Sequence, residues 1–331
     1  MRINICTNKI KYFIILLVLA LLLTACGSGH RISFTSIVSG DTVFKIGDTK
    51  CKSDEAYVYI ANYKNLYGFV DGQSLWDPDS DNAVLKEAVK DAALSSLKRV
   101  YIYSLYADNL GIELSSEDKS ICKKAASEYY ASLSSYEKRY MGTSKKKLAS
   151  MYERLLLAER VYNSLLSDID TDLSEDACRV VDAHVIFVTD KDTADLINEA
   201  IINKTTKFQL LASTYSEAPE YEVFVTRGMY DKEVEDVVFS LEDSEISDCI
   251  ATEDGYYFFR CVSKYDTEKS EENKNNIIAA RQEQALDIAS EYVLTNNYSQ
   301  MNDQLWDSIE VDDSEKITTN TFFFTLFQNV L

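Results

Sequence analysis

Histidine is nearly missing from this sequence: there are two in 331 residues, and His184 is the only one in the stretch expected to fold. Cysteine is sparse and unpatterned. Beyond Cys6 and Cys26 there remain Cys51, Cys122, Cys178, Cys249 and Cys261, an odd number with no CxxC pair and no zinc-like spacing. Neither a disulfide framework nor a metal site is indicated, no cofactor is implied, and the thiols are expected to be mostly buried and free. Positive charge is short as well, with 34 Lys and Arg against 54 Asp and Glu, a net of −20. Such a surface repels nucleic acid phosphates and disfavours a long embrace of anionic lipid. Ten glycines are too few for two lobes of repeated strand-helix units with glycine turns, the plan expected of a transporter's solute-binding lipoprotein.

What is present begins with Arg2, Lys9 and Lys11, followed by an apolar run from Tyr12 to Leu23 that is too short to span a bilayer. "LLTAC", Leu22 to Cys26, resembles the bacterial lipobox, whose cysteine is lipidated and becomes the first mature residue. Residues 1–25 therefore read as a lipoprotein signal peptide, Cys26 as the lipid anchor and residues 26–40 as a tether, which places the body outside the cytoplasmic membrane. A plain secretory signal is the other reading.

The length suggests two domains at about 150 residues each. "TVFKIGD" reads as a short strand. After it, residues 50–170 read as almost wholly helical: Ser53 is expected to cap a first helix with Asp54 and Glu55 in its first turn. Leu85, Val89, Ala92, Ala93 and Val100 mark a second helix that stops near Gly111. "SSED" predicts a capping box between Ser115 and Asp118, and a further helix covers Lys145 to Leu166. An acidic linker, "DIDTDLSED", then gives way to strand "AHVIFV", helices "TADLINEAIIN" and "KFQLLASTYS", strand "VFVT" and helix "KEVEDVVFSL". Two strands around Glu253, Asp254 and Gly255 close the module. A long helix returns from Lys269, and "TFFFTLFQNVL" is expected to be a last packed strand. The expected class is α+β, a helical domain made from N- and C-terminal segments (41–175 and 267–331) around an inserted α+β domain at 176–266.

The inserted module resembles parvulin-type peptidyl-prolyl isomerase domains, and the whole chain resembles lipoprotein foldases of the PrsA/SurA type. "AHVIFV" is similar to the family's "ASHILV", "TRGMYDKEVEDVVFSL" to "TRGQMVPEFEDAAFSL", and "EISDCIATEDGYYFFRCVSKYD" to "EISDPVKTQFGYHIIKVLDR". "KIGDTKCKSDEAYVYI" also echoes the strand and first helix that open the foldases' chaperone domain. The resemblance implies rotation about X-Pro bonds, which is slow without a catalyst. It implies two histidines, a cysteine or aspartate, and an apolar floor.

By that resemblance His184 takes the first histidine position, while Tyr257 stands at the second. The family's "GGDLG" loop is replaced by the shorter "APEYEVFV", which has no glycine. Met229, Tyr230 and Val234 fall at the proline-pocket positions. Val234 stands where the family has phenylalanine, a loss on the order of 1 kcal/mol of apolar contact. His184 is then either a catalytic imidazole or a strand histidine hydrogen-bonded to a neighbour such as Tyr257. The many tyrosines, as in "SEYYASLSSYEKRY", suit either a surface that grips unfolded chains or ordinary helix packing. The expectations are a lipid-anchored foldase for unfolded or nascent secreted proteins with a degenerate isomerase site, or a fully active isomerase using His184. A homodimer is left open.

Overall fold

The computed structural model describes residues 40–70, 73–77 and 79–330; Cys26, the signal and most of the tether lie outside them. Backbone contacts divide the described residues into one unit formed by 40–168 with 283–330 and another formed by 169–282. Helices and strands are mixed, as the α+β expectation requires. No helix among the described residues is long and apolar enough to cross a membrane.

The first unit opens with β1 (Thr42–Ile46) and β2 (Thr49–Lys52), a hairpin whose turn carries Gly47 at φ 58°. α1 (Ser53–Tyr67) follows directly. Its N-cap is Lys52 without a side-chain hydrogen bond, so Ser53 is the first helical residue and does not cap. β3 (Phe69–Val70) and β4 (Gln73–Ser74) form a minimal hairpin before α2 (Ala83–Leu110), which ends at Gly111 in the left-handed region. α3 (Ser116–Ser132) starts with the expected capping box between Ser115 and Asp118, and α4 (Ser135–Met141) repeats the device with Ser134 and Glu137. α5 (Lys145–Ser167) packs its Leu148, Met151, Leu155 and Val161 face against α2 and α3.

The second unit comprises α6 (Glu175–Cys178), β5 (Val181–Val188), α7 (Lys191–Ile202), α8 (Phe208–Tyr215), β6 (Glu222–Val225), α9 (Lys232–Ser240), β7 (Ile250–Ala251) and β8 (Tyr256–Ser263). Its four strands form an antiparallel sheet in the order β6-β5-β8-β7. Every β5 residue except Asp182, His184 and Phe187 is buried, as expected for a central strand covered on both faces.

α10 (Thr267–Asn296) runs from the second unit into the first. β9 (Ser299–Met301) then joins β1 as a third strand, α11 (Asp303–Ser308) follows, and α12 (Phe322–Val330) ends the described chain. The expected last strand is thus a helix. Phe322, Phe323, Leu326 and Phe327 are its buried residues, a spacing that one helical face satisfies and strand alternation does not. Phe322 is fully buried, stacked on Tyr152 at 4.6 Å and edge-on to Tyr129 at 5.3 Å. Polar bonds hold the same segment. The Tyr152 hydroxyl donates to the Phe322 carbonyl (2.8 Å), the Phe322 N–H donates to Asn62 (3.0 Å), and Glu137 accepts from the N–H groups of Thr318 and Thr319 (2.9 Å each). Many tyrosines of this unit are therefore core residues.

Candidate functional site

Strand alternation decides what His184 can reach. Val181, Ala183 and Val185 of β5 join a cluster with Val234, Val238 and Phe239 of α9, whereas Ile186 and Val188 join Ala194 and Ile197 of α7 and Phe208, Leu211 and Ala212 of α8. The only register shift between β5 and β8 lies at Asp182 and Ala183, so residues 183–188 alternate regularly. His184 therefore shares the α7/α8 face with Ile186 and Val188.

Its partner there is Tyr221. The two rings stack with centroids 4.2 Å apart and 19° between planes, and the phenol oxygen lies 3.0 Å from Nδ1. Nε2 is 4.0 Å from Oε1 of Glu222, the cross-strand neighbour. Burial raises the Tyr221 pKa, so its hydroxyl stays protonated at neutral pH.

Tyr257 is cross-strand from Phe187 on the opposite, α9 face. It forms an aromatic cluster there, 4.5 Å from Phe187, 5.7 Å from Tyr230 and stacked at 6.0 Å on Phe259, with Tyr230 edge-on to Phe259 at 5.5 Å. Burial raises the pKa of both Tyr257 and Tyr230, so neither phenol acts as a base near neutrality. Val234 is 1% exposed beneath this cluster, while Met229, next to Tyr230 in the sequence, is 51% exposed. Cys261 belongs to the same packed core and burial pushes its thiol up to about 11, too high for a thiolate nucleophile. Gly255 sits where a Cβ would meet the Val188 carbonyl at 2.6 Å and the Phe187 ring at 2.8 Å, so the turn before β8 closes onto that ring.

The short loop before β6 is bonded along β5. The Phe187 N–H donates to Ser216 Oγ (3.2 Å), the Glu217 N–H to the Phe187 carbonyl (2.7 Å), the Val185 N–H to the Tyr221 carbonyl (2.9 Å), and the Thr189 N–H to the Glu217 carboxylate (2.9 Å).

The structure thus brings Tyr230, Tyr257 and Val234 together, leaves Met229 exposed, and keeps His184 apart from the cluster through the sheet. The partner named for His184, Tyr257, is replaced by Tyr221. The sequence signal for Tyr221 was its place one residue before a strand antiparallel to β5, legible only once the register is known. Cys51, Cys122, Cys178 and Cys261 are buried and free, and Cys249 is free and partly buried. Among the described residues no group of His, Cys, Asp and Glu could hold a metal ion.

Residues 188–263 match the family model for the rotamase PPIC-type PPIASE domain, a span that begins four residues after His184. No curated protein matches the chain. Among solved structures, the chain is similar to the peptidylprolyl isomerase PrsA from Bacillus cereus at 20% identity, covering 80% of this chain and 99% of that one with a TM-score of 0.35. It is similar to the foldase protein PrsA from Streptococcus pneumoniae at 16% identity, covering 80% and 98% with a TM-score of 0.28. NmPin, the parvuline of Nitrosopumilus maritimus, is 26% identical over 25% of this chain and 95% of its own, with a TM-score of 0.22. With four strands in the order β6-β5-β8-β7, helices on both faces and the matched span running from the end of β5 through β8, residues 188–263 are a PPIC-type PPIase domain of the parvulin kind.

Proposed function

We propose that the chain is an extracytoplasmic foldase, held to the membrane by a lipid on Cys26 through the tether of residues 26–40. In this reading its parvulin-type domain (176–266) holds client segments with little or no prolyl isomerisation. The helical domain built from 41–175 and 267–331 supplies the chaperone body. The clients are unfolded or nascent secreted chains, gripped in part by Met229 and Tyr230 over Val234.

The observation that carries this reading is the separation of His184 from the aromatic cluster by the thickness of the sheet. An isomerase site must surround one twisting amide with groups acting together, and a lone imidazole stacked on Tyr221 on the far face has no such partners. The Tyr230 and Tyr257 rings present an apolar surface with polar tips, which suits contact with varied sequences.

A tetrapeptide isomerisation assay comparing the wild type with His184→Ala tests the degenerate site. Equal rates near background are expected, and a rate well above background that collapses in the variant would overturn it. Suppression of aggregation of an unfolded client by stoichiometric protein tests the foldase reading, which fails if no protection is seen. Incorporation of labelled palmitate in cells, abolished by Cys26→Ala, tests the anchor.

A further inference from the structure

β6 is an edge strand, and its outward backbone groups are identifiable. The Val185 N–H donates to the Tyr221 carbonyl at 2.9 Å, which makes this a hydrogen-bonded antiparallel pair. By alternation the next bonded pairs are Ala183 with Val223 and Val181 with Val225. The N–H and C=O groups of Glu222 and Phe224 therefore point away from β5. Among the described residues no element lies beyond β6 in the sheet, and none bonds to those groups.

The side chains along this edge are also accessible. Phe224 is 44% exposed with the Lys269 ammonium over its ring at 5.2 Å, and the Glu222 side chain is 73% exposed. Glu217 and Glu220 flank the strand on its N-terminal side, where Glu220 is exposed. An edge with open hydrogen-bonding groups recruits another extended chain unless it is blunted, and the charge here selects which chain. A second copy of this protein brings the same glutamates and a net charge of −20, so self-pairing is repelled. A cationic strand is attracted.

We propose that the outer edge of β6 is a β-augmentation site for extended client segments that carry a basic and an apolar residue two positions apart, so that both fall on one face, with a lysine or arginine opposite Glu222 and an apolar side chain against Phe224. The proposal deepens the foldase reading and rests on it for the identity of the ligand as a client. It makes backbone pairing, at the sheet edge and away from the Tyr230 and Tyr257 cluster, the source of sequence-tolerant binding.

The test uses a fluorescein-labelled decapeptide of Lys-Thr-Val-Thr repeats, which places lysine and valine in turn along one face, titrated with the full mature chain and read by anisotropy. An analogue methylated on its four central backbone nitrogens is the control. Phe224→Pro removes the outward N–H at a position where an edge strand accepts proline, and Glu222→Lys reverses the charge. Saturable binding is expected, about tenfold weaker for Phe224→Pro and for the methylated peptide. Glu222→Lys is expected to be several-fold weaker at low salt and closer to wild type at high salt. Absent binding to the wild type, or binding unchanged by both Phe224→Pro and methylation, overturns the proposal. So does a wild-type dimer that Phe224→Pro dissociates without peptide. If Phe224→Pro loses its native circular dichroism, the methylated peptide and Glu222→Lys decide. Aggregation suppression is run in parallel: protection without peptide binding leaves the foldase reading standing and removes this site, while peptide binding without protection does the reverse.

Discussion

On the α9 face of the β6-β5-β8-β7 sheet, Phe187, Tyr230, Tyr257 and Phe259 pack ring against ring over Val234. On the other face, the α7 and α8 core gives out toward the start of β5, where His184 stacks on Tyr221 beside exposed Glu222 and Phe224. One face is apolar with phenol tips and holds no imidazole. The other has the imidazole and, next to it, an open strand edge. A residue matched by sequence to a catalytic position therefore acts only with what its own face supplies, and here the two halves of the expected site are divided by the backbone.

The largest effects should come from emptying either face. Phe259→Ala on the α9 side and Phe258→Ala on the α7/α8 side each remove a fully buried ring, and each is expected to cost about 3–5 kcal/mol in chemical denaturation. A much smaller loss for one of them would show that its face is loosely packed. Gly255→Ala comes next, at about 1–3 kcal/mol, because the added methyl meets the Val188 carbonyl and the Phe187 ring. Retention of full thermal stability would show that the turn relaxes.

Glu235 offers a smaller and pH-dependent effect. Its carboxyl lies below the usual range, chiefly because it accepts the Gly228 N–H and also because of Arg227. A depressed carboxylate stabilises the fold above its unfolded pKa, and that contribution is lost as pH falls through the folded value. Stability of Glu235→Gln should therefore converge on the wild type in acid and lie below it at neutral pH. A constant offset at every pH would remove the carboxylate from the account. The smallest expected effect is none: Tyr257→His, which restores the second histidine by sequence, should leave tetrapeptide isomerisation unchanged because the new imidazole and His184 occupy opposite faces. A rise in rate would mean that the two faces communicate.

Much of the architecture was legible because local signals agreed. The Ser115 and Asp118 capping box, the helix stop at Gly111 and the strands on either side of Gly255 each followed from residue chemistry at a fixed spacing. Helix α12 was misread because a short run of phenylalanines is apolar under either periodicity, and only the packing of Phe322 against Tyr152 and Tyr129 decides it. β9 carries no alternation at all in Ser299–Met301 and exists because β1 presents it with a partner. The site was less legible than the fold. Residues of β5 are apolar on both faces, so the side to which His184 points depends on which helices cover which face, a long-range fact that no window of sequence contains.

Phe322 has a consequence for the order in which the protein matures. The helical unit closes around a side chain that lies beyond the entire α+β unit in the sequence, so an emerging polypeptide can complete residues 169–282 while the pocket between Tyr152 and Tyr129 still lacks its filler. Until that ring arrives, the apolar side chains that surround it, Tyr59, Tyr129 and Tyr152 among them, lack the partner they pack against in the finished unit.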